Sequence, residues 1–197
     1  MSTFSFLAAI LLSFLTGSIM FSQILPQKLM GTDIAALSDD HNPGATNVFV
    51  NCGPSLGLLC LFLDLAKGFL PVYLGCKFMD TDNLLFGLIL AAPVLGHAIA
   101  PLNHLKGGKC IACAFGAMLG IIPLSAAGLV ILASLYILFS VILKIRPNRV
   151  ASMITFALFG CITGFYCLYH DMASAALGSC LIAVTAFIKH TRLFCKN

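Results

Sequence analysis

Long apolar runs constrain this chain more than anything else in it. They cover 4–25, 54–75, 84–102, 110–122, 124–144, 151–168 and 172–188. A helix of roughly 20 apolar residues matches the ~30 Å hydrocarbon core of a bilayer. Backbone polar groups in lipid must be satisfied internally, and uninterrupted runs of this length satisfy them as helices rather than as barrel strands. The residues are 60% hydrophobic and only 9% charged, too little charge for the surface of a soluble domain. The expectation is an all-α integral membrane protein forming one domain, 1–197, with seven transmembrane helices, one of them short.

The stretch 110–143 decides the number of crossings. It is too long for one ordinary span and contains Gly120 and Pro123. Proline interrupts helical hydrogen bonding, so the stretch divides there into a short helix and a full one. Charge supports the division. With seven crossings, Lys28, Lys106, Lys109, Lys144, Arg146, Arg149, Lys189, Arg192 and Lys196 gather on one side and only Lys77 on the other, with Lys67 inside a span. Six crossings scatter them. The positive-inside bias therefore predicts an external N-terminus and a cytoplasmic C-terminus. No Lys or Arg precedes Lys28, so the first run lacks the basic region of a secretory signal and is expected to stay as a span.

The net charge of +4 sits at helix ends, where inserted chains carry it, and is no nucleic-acid signature. The nine cysteines are spread through apolar segments, as small packing residues rather than a disulfide framework. Cys110 and Cys113 form a C-x-x-C, but no second pair accompanies it and no metal site is expected.

Polar chemistry concentrates in four places. In Asn42-Pro43-Gly44-Ala45-Thr46-Asn47, a turn at Gly44 followed by a short helix can aim N–H groups at an anion. A plain capped turn is the competing reading. Lys106-Gly107-Gly108-Lys109 precedes the short helix, where glycines permit close backbone approach and the lysines add charge. It lacks the spacing of a nucleotide-binding phosphate loop and also reads as a topological anchor. Asp64 and Lys67 share a helix face, either as a structural ion pair or with Lys67 leaning toward an anion. His97, near a helix end, is either an acid–base or hydrogen-bonding group for substrate or a packing residue.

In order and spacing these pieces resemble the bacterial acyl-phosphate:glycerol-3-phosphate acyltransferase (PlsY-like) family. Gly17-Ser18-Ile19 is similar to an early Gly-Ser-Ile of that family. Asn42-Pro43-Gly44-Ala45-Thr46-Asn47-Val48 resembles its Asn-x-Gly-Ala-Thr-Asn-Val, and Asp64-Leu65-Ala66-Lys67-Gly68 its Asp-x-x-Lys-Gly. Gly96-His97 followed by Lys106-Gly107-Gly108-Lys109 resembles its second motif. Ala151-Ser152 and His190-x-Arg192 are fainter echoes. The resemblance implies seven spans in the bacterial cytoplasmic membrane. It also implies transfer of a fatty acyl group from acyl phosphate to the 1-hydroxyl of sn-glycerol 3-phosphate, giving lysophosphatidate and phosphate, without cofactor or metal. The partners it implies are those two substrates and membrane lipid. By the same resemblance, His97, Lys109 and Asn47 are catalytic. Asn42, Gly44, Thr46, Lys106, Gly107, Gly108, Lys67 and His190 bind substrate or phosphate, with Asp40 and Asp64 beside them.

The sequence also departs from the family. Asp40-His41 stands where the family has Ser-Gly, Val50 where it has Arg, and Cys110 where it has Gly. The family's C-terminal motif continues past His-Arg with further polar residues, whereas this sequence ends seven residues after His190. These differences keep two other readings open: a transporter of small anions or phosphate esters, and a divergent, non-catalytic lipid-phosphate-binding homologue. Asp39 or Asp40 is a candidate base for the acceptor hydroxyl, or a ligand for a bridging cation.

Overall fold

The computed structural model describes residues 2–191, so the expectations for Arg192 and Lys196 lie outside the described residues. Ten α-helices carry the described chain: α1 (Thr3–Gly17), α2 (Phe21–Met30), α3 (Ile34–Leu37), α4 (Ala45–Cys52), α5 (Pro54–Phe78), α6 (Leu85–Ile99), α7 (Ile111–Gly120), α8 (Ala127–Tyr136), α9 (Asn148–Tyr169) and α10 (Ala173–His190). A 3₁₀ turn, Pro101–Asn103, extends α6, and α8 runs on into a π-wound stretch, Ile137–Ile142.

All seven apolar runs are helical, but they differ in length. Among the described residues, four helices are long and apolar enough to cross a membrane: α5, α6 with its 3₁₀ extension, α9 and α10. The pair α1 and α2 makes a fifth if counted as one bent span. The expected break at Pro123 is present, between α7 and α8. At ten residues, α7 rises only ~15 Å.

The run 4–25 is not one helix. It breaks after Gly17, and α1 and α2 meet at 42°. A side chain from another helix fills the break. Lys67 Nζ on α5 donates to the Ile19 carbonyl at 2.5 Å, and Ser22 Oγ donates to Asp64 Oδ2 at 2.8 Å. A helix break leaves carbonyls without partners, and a buried ammonium needs acceptors. Each meets the other's requirement here.

The core forms around α6, which packs against α1, α5, α7 and α10. Its Phe86, Ile89, Leu90, Ala91 and Val94 are fully buried. The α1 and α6 backbones touch. A Cβ on Gly96 would lie 2.0 Å from the Phe14 carbonyl oxygen, and one on Gly17 2.0 Å from that of Pro93. Small residues permit such contact between membrane helices, where lipid offers no competing hydrophobic gain. Beside α6, α5 packs on α7 and α9 on α10.

Between α2 and α4 the chain is tied down by side chains. Gln23 Nε2 donates to Asp33 Oδ1 at 2.8 Å, and the same oxygen caps the Ala36 N–H at 3.2 Å. The Gln23 amide, with the backbone N–H of Ala36, holds the Asp33 carboxyl below its ordinary range.

Candidate anion-binding cleft

Two loops far apart in sequence close on one another at one end of the bundle. Gly44 precedes α4 in extended conformation, and the Asn42 amide folds against it; a Cβ on Gly44 would lie 2.5 Å from Asn42 Nδ2. So placed, Asn42 Oδ1 accepts the Lys109 N–H at 3.1 Å. Asn47 Nδ2 donates to the Asn42 carbonyl at 2.8 Å and to Asp40 Oδ1 at 3.0 Å. Asp40 Oδ1 also accepts the Asn42 N–H at 3.2 Å. Asp40 Oδ2 lies 2.5 Å from Lys109 Nζ. Asp40, Asn42, Asn47 and Lys109 thus form one closed network. Partial burial raises the Asp40 carboxyl, but the Lys109 ammonium and the Asn47 and Asn42 donors outweigh it and hold the group below its usual range.

The glycines after Lys106 serve this closure. A Cβ on Gly107 would lie 2.0 Å from the Ala98 carbonyl oxygen, and one on Gly108 2.3 Å from His97 Nε2. The Gly108 N–H donates to the His97 carbonyl at 3.1 Å, and the Lys106 N–H to that of Asn103 at 2.9 Å. Gly107 and Gly108 press the loop onto the end of α6, and the Gly108 amide is already engaged. The Gly108 amide of the expected phosphate cradle is thus taken up by the end of α6, in a close packing contact that leads into Lys109. Cys110 and Cys113 are also engaged, their thiols donating to the Gly108 and Pro93 carbonyls at 3.4 Å each.

The network borders a cleft of about 810 Å³. Of the expected site residues, Asp40, Asn42, Gly44, Thr46, Asn47, Asp64, His97, Lys109 and His190 line it. Lys106 does not; its side chain is exposed. Lys67 does not either. It is buried, 2.9 Å from Asp64 Oδ1, and reaches the α1–α2 break instead of the cleft. His97 Nδ1 and His190 Nε2 are buried with no hydrogen-bond partner among the described residues. His190 is fixed from behind: Nδ1 bonds the Ala186 carbonyl at 2.7 Å, and its ring stacks on Phe156 with centroids 6.2 Å apart. With Nδ1 donating, Nε2 is an acceptor.

Three helices begin at this cleft. Ala45 to Asn47 open α4, Ile111 and Ala112 open α7, and Asn148, Arg149 and Ser152 open α9; all line it. Helix N-termini carry partial positive charge and unsatisfied N–H groups, a favourable setting for an anion. The other wall is apolar, with Leu61 and Leu65 from α5, Phe115 and Leu119 from α7, and Tyr136 and Val141 beyond. Phe115 and Tyr136 meet edge to face at 5.6 Å, holding α7 to α8.

Arg146, Asn148 and Arg149 enter the site without having been singled out from sequence, where the two arginines read only as topological charge. A signal was present on α9. Arg149 and Ser152 fall three apart, on the face that buries Thr155, Phe156 and Phe159. Polar residues on the buried stripe of an apolar helix point inward.

The fold and site define a helical integral membrane protein with a cleft at one end, lined by helix N-termini and basic side chains, and an apolar wall beside it. The profile of the glycerol-3-phosphate acyltransferase family matches residues 7–194, and the chain belongs to that family. A glycerol-3-phosphate acyltransferase of Hydrogenobaculum sp. (strain Y04AAS1) is 40% identical over 113 residues, 57% of this chain and 57% of the relative. One from Shewanella woodyi is 42% identical over 117 residues, 59% of this chain and 57% of the relative. The chain thus spans a little over half the length of the curated relatives it matches. The crystal structure of PlsY (YgiH), an integral membrane glycerol 3-phosphate acyltransferase, in its glycerol 3-phosphate form superposes with TM-score 0.79 at 26% identity, covering 94% of this chain and 88% of that one. Its lysophosphatidic acid form, at 24% identity and TM-score 0.77, shares the fold, covering 96% of this chain and 89% of that one.

Proposed function

We propose that the protein transfers a fatty acyl group from acyl phosphate to the 1-hydroxyl of sn-glycerol 3-phosphate, releasing lysophosphatidate and phosphate. One observation carries this reading: Asn47 and Lys109, from loops 62 residues apart, are joined through Asp40 in a cleft where three helices begin and an apolar wall adjoins. That combination suits a molecule with an anionic head and a hydrocarbon tail. Family membership and the relatives' names support the same conclusion.

Acyl phosphate is an activated mixed anhydride, so no covalent nucleophile is required. The acceptor hydroxyl oxygen attacks the acyl carbon, the bond from that carbon to the phosphate oxygen breaks, and phosphate departs with the bonding electrons. The protein's task is to hold two phosphate-bearing molecules in line and to stabilise the charge that develops. Lys109 and the starts of α4, α7 and α9 supply positive potential. Asn42, Thr46 and Asn47 shape the acceptor side. His97 and His190 supply the unfilled ring nitrogens, one of which takes the hydroxyl proton. The apolar wall takes the acyl chain.

In the membrane we assign a single domain with seven crossings, N-terminus outside and C-terminus in the cytoplasm. The bent α1–α2 pair counts as one crossing and the short α7 as another. The clustering of Lys and Arg supports that orientation, and the bacterial relatives support a place in the bacterial cytoplasmic membrane.

The test is direct. Purified protein given palmitoyl phosphate and labelled glycerol 3-phosphate should yield labelled lysophosphatidate. Lys109→Ala should lower kcat/KM by about a hundredfold or more, as loss of one charge-stabilising donor does. No product from the parent protein, together with uptake of labelled glycerol 3-phosphate into proteoliposomes, would replace this reading with transport.

A further inference from the structure

The charges lining the cleft fall into two groups. Asp64 is matched by Lys67 and Asp40 by Lys109, so both carboxylates are answered by lysines. Arg146 and Arg149 line the same cleft and, among the described residues, no carboxylate lies within ion-pair distance of either. The wall built by α4 has no cation of its own. Thr46 and Asn47 are neutral, and Val50 is 78% exposed and outside the cleft. A phosphate group approaching Lys109 therefore meets an ammonium whose charge Asp40 already offsets. Charge free to receive it stands at the start of α9, where the helix terminus adds its own partial charge.

Of the two arginines, Arg149 belongs to the first turn of α9 and is half-buried on it. Arg146 precedes the helix, is exposed, and donates through Nη1 to Asn148 Oδ1; both residues line the cleft. A guanidinium binds a phosphate group through paired N–H donors, a geometry lysine does not offer.

We propose that Arg146 is a specificity-determining residue that grips the phosphate group of a substrate in the cleft and makes up for the positive charge that Asp40 withdraws from Lys109. The proposal rests on the acyltransferase reading for the identity of the substrates. The chemistry recognised is a phosphate carrying an organic group, which describes both glycerol 3-phosphate and acyl phosphate.

The experiment is a double-mutant cycle. KM for glycerol 3-phosphate and KM for palmitoyl phosphate are measured separately for the parent, Arg146→Gln, Asp40→Asn and the double variant. Arg146→Gln should raise one of the two KM values by about tenfold to about a hundredfold, the loss expected for a hydrogen bond to a charged group, with kcat less affected. The substrate whose KM rises is the one Arg146 holds. In the Asp40→Asn background the rise should be clearly smaller, because Lys109 is released to take over. Arg146→Lys should recover part of the loss, which a folding defect would not show. Unchanged KM for both substrates, or equal rises in both backgrounds, overturns the proposal. If the parent turns over no acyl phosphate, the acyltransferase reading fails and calorimetric binding of inorganic phosphate becomes the readout. Weaker binding by Arg146→Gln then upholds the role of Arg146; equal binding, or none by the parent, overturns it.

Discussion

Asp40 Oδ2 and Lys109 Nζ meet at 2.5 Å across 69 residues of sequence, and this contact closes the cleft's two loops on one another. The contact spans the two segments that carry the family's motifs. It also sets a carboxylate against Lys109, a cation that lines the cleft. Asp40 thus orders the loops and, under the proposed function, competes with the substrate phosphate for Lys109.

Asp40→Asn separates these effects. An amide at that position still accepts from Asn47 and Asn42, and Asn42 still holds the Lys109 backbone, so the loops stay joined while the Lys109 ammonium is released. KM for glycerol 3-phosphate should fall by roughly threefold to tenfold, within the ~0.5–1.5 kcal/mol net worth of an ordinary hydrogen bond. Steady-state kinetics at fixed palmitoyl phosphate would show it. A fall in kcat of about a hundredfold or more would instead identify the carboxylate as the base for the acceptor hydroxyl.

The ion pair on α5 makes a different prediction. Lys67 and Asp64 are nearly inaccessible, at 1% and 2% exposure, and Lys67 reaches the Ile19 carbonyl in the α1–α2 break. Lys67→Met leaves Asp64 as an uncompensated buried charge and the carbonyl without its donor. Breaking a buried pair costs about 3–5 kcal/mol. Thermal unfolding in detergent should show a large drop in Tm. Lost activity at unchanged Tm would mean that Lys67 acts on substrate after all.

How much of this was legible in the sequence depends on the range of the cause. The apolar runs and the division at Pro123 follow from composition along the chain, and each run is helical, although among the described residues only four helices, or five with the bent α1–α2 pair, are long enough to cross a membrane. The break in 4–25 does not follow. Its hydropathy is that of one span, and the carbonyl freed at Ile19 is satisfied by Lys67, 48 residues away. The convergence of the Asn42–Asn47 segment with Lys109 was legible because each motif leads into a helix at one expected membrane face. What the two glycines do was not. Local sequence does not reveal that the end of α6 lies close under Gly107 and Gly108, and only the folded chain shows that packing. Arg146 and Arg149 were hidden by their setting, since any basic residue beside a span also serves as a topological anchor.

Gly108→Ala tests the packing reading. The new methyl would lie 2.3 Å from His97 Nε2, far inside van der Waals contact, with the imidazole buried at 4% exposure. The ring must move, or the loop must lift and carry Lys109 with it. Either outcome misplaces a cleft residue by roughly an ångström, and such misplacement can cost ~10²-fold in rate. Activity should fall by about that factor while the helical circular dichroism is retained. Near-parental activity would show that His97 has no fixed position to defend.

Acid should open the loops only at low pH. Asp40 sits below its ordinary pKa in the folded protein, so the unfolded chain binds a proton on this residue more readily than the folded one. The stability it contributes is therefore fully present above the unfolded value of about 3.9 and is lost as pH falls through the lower folded value. The clasp should be insensitive to pH from neutrality down to about 5, the upper edge of that window. The measurement is the difference in Tm between the parent and Asp40→Asn across pH. It should be constant from about pH 8 to about pH 5 and shrink toward zero below about 4, where the parent's carboxyl takes up its proton and comes to resemble the amide. A difference that changes steeply between about pH 6 and about pH 7 would place the responsible group among the histidines instead.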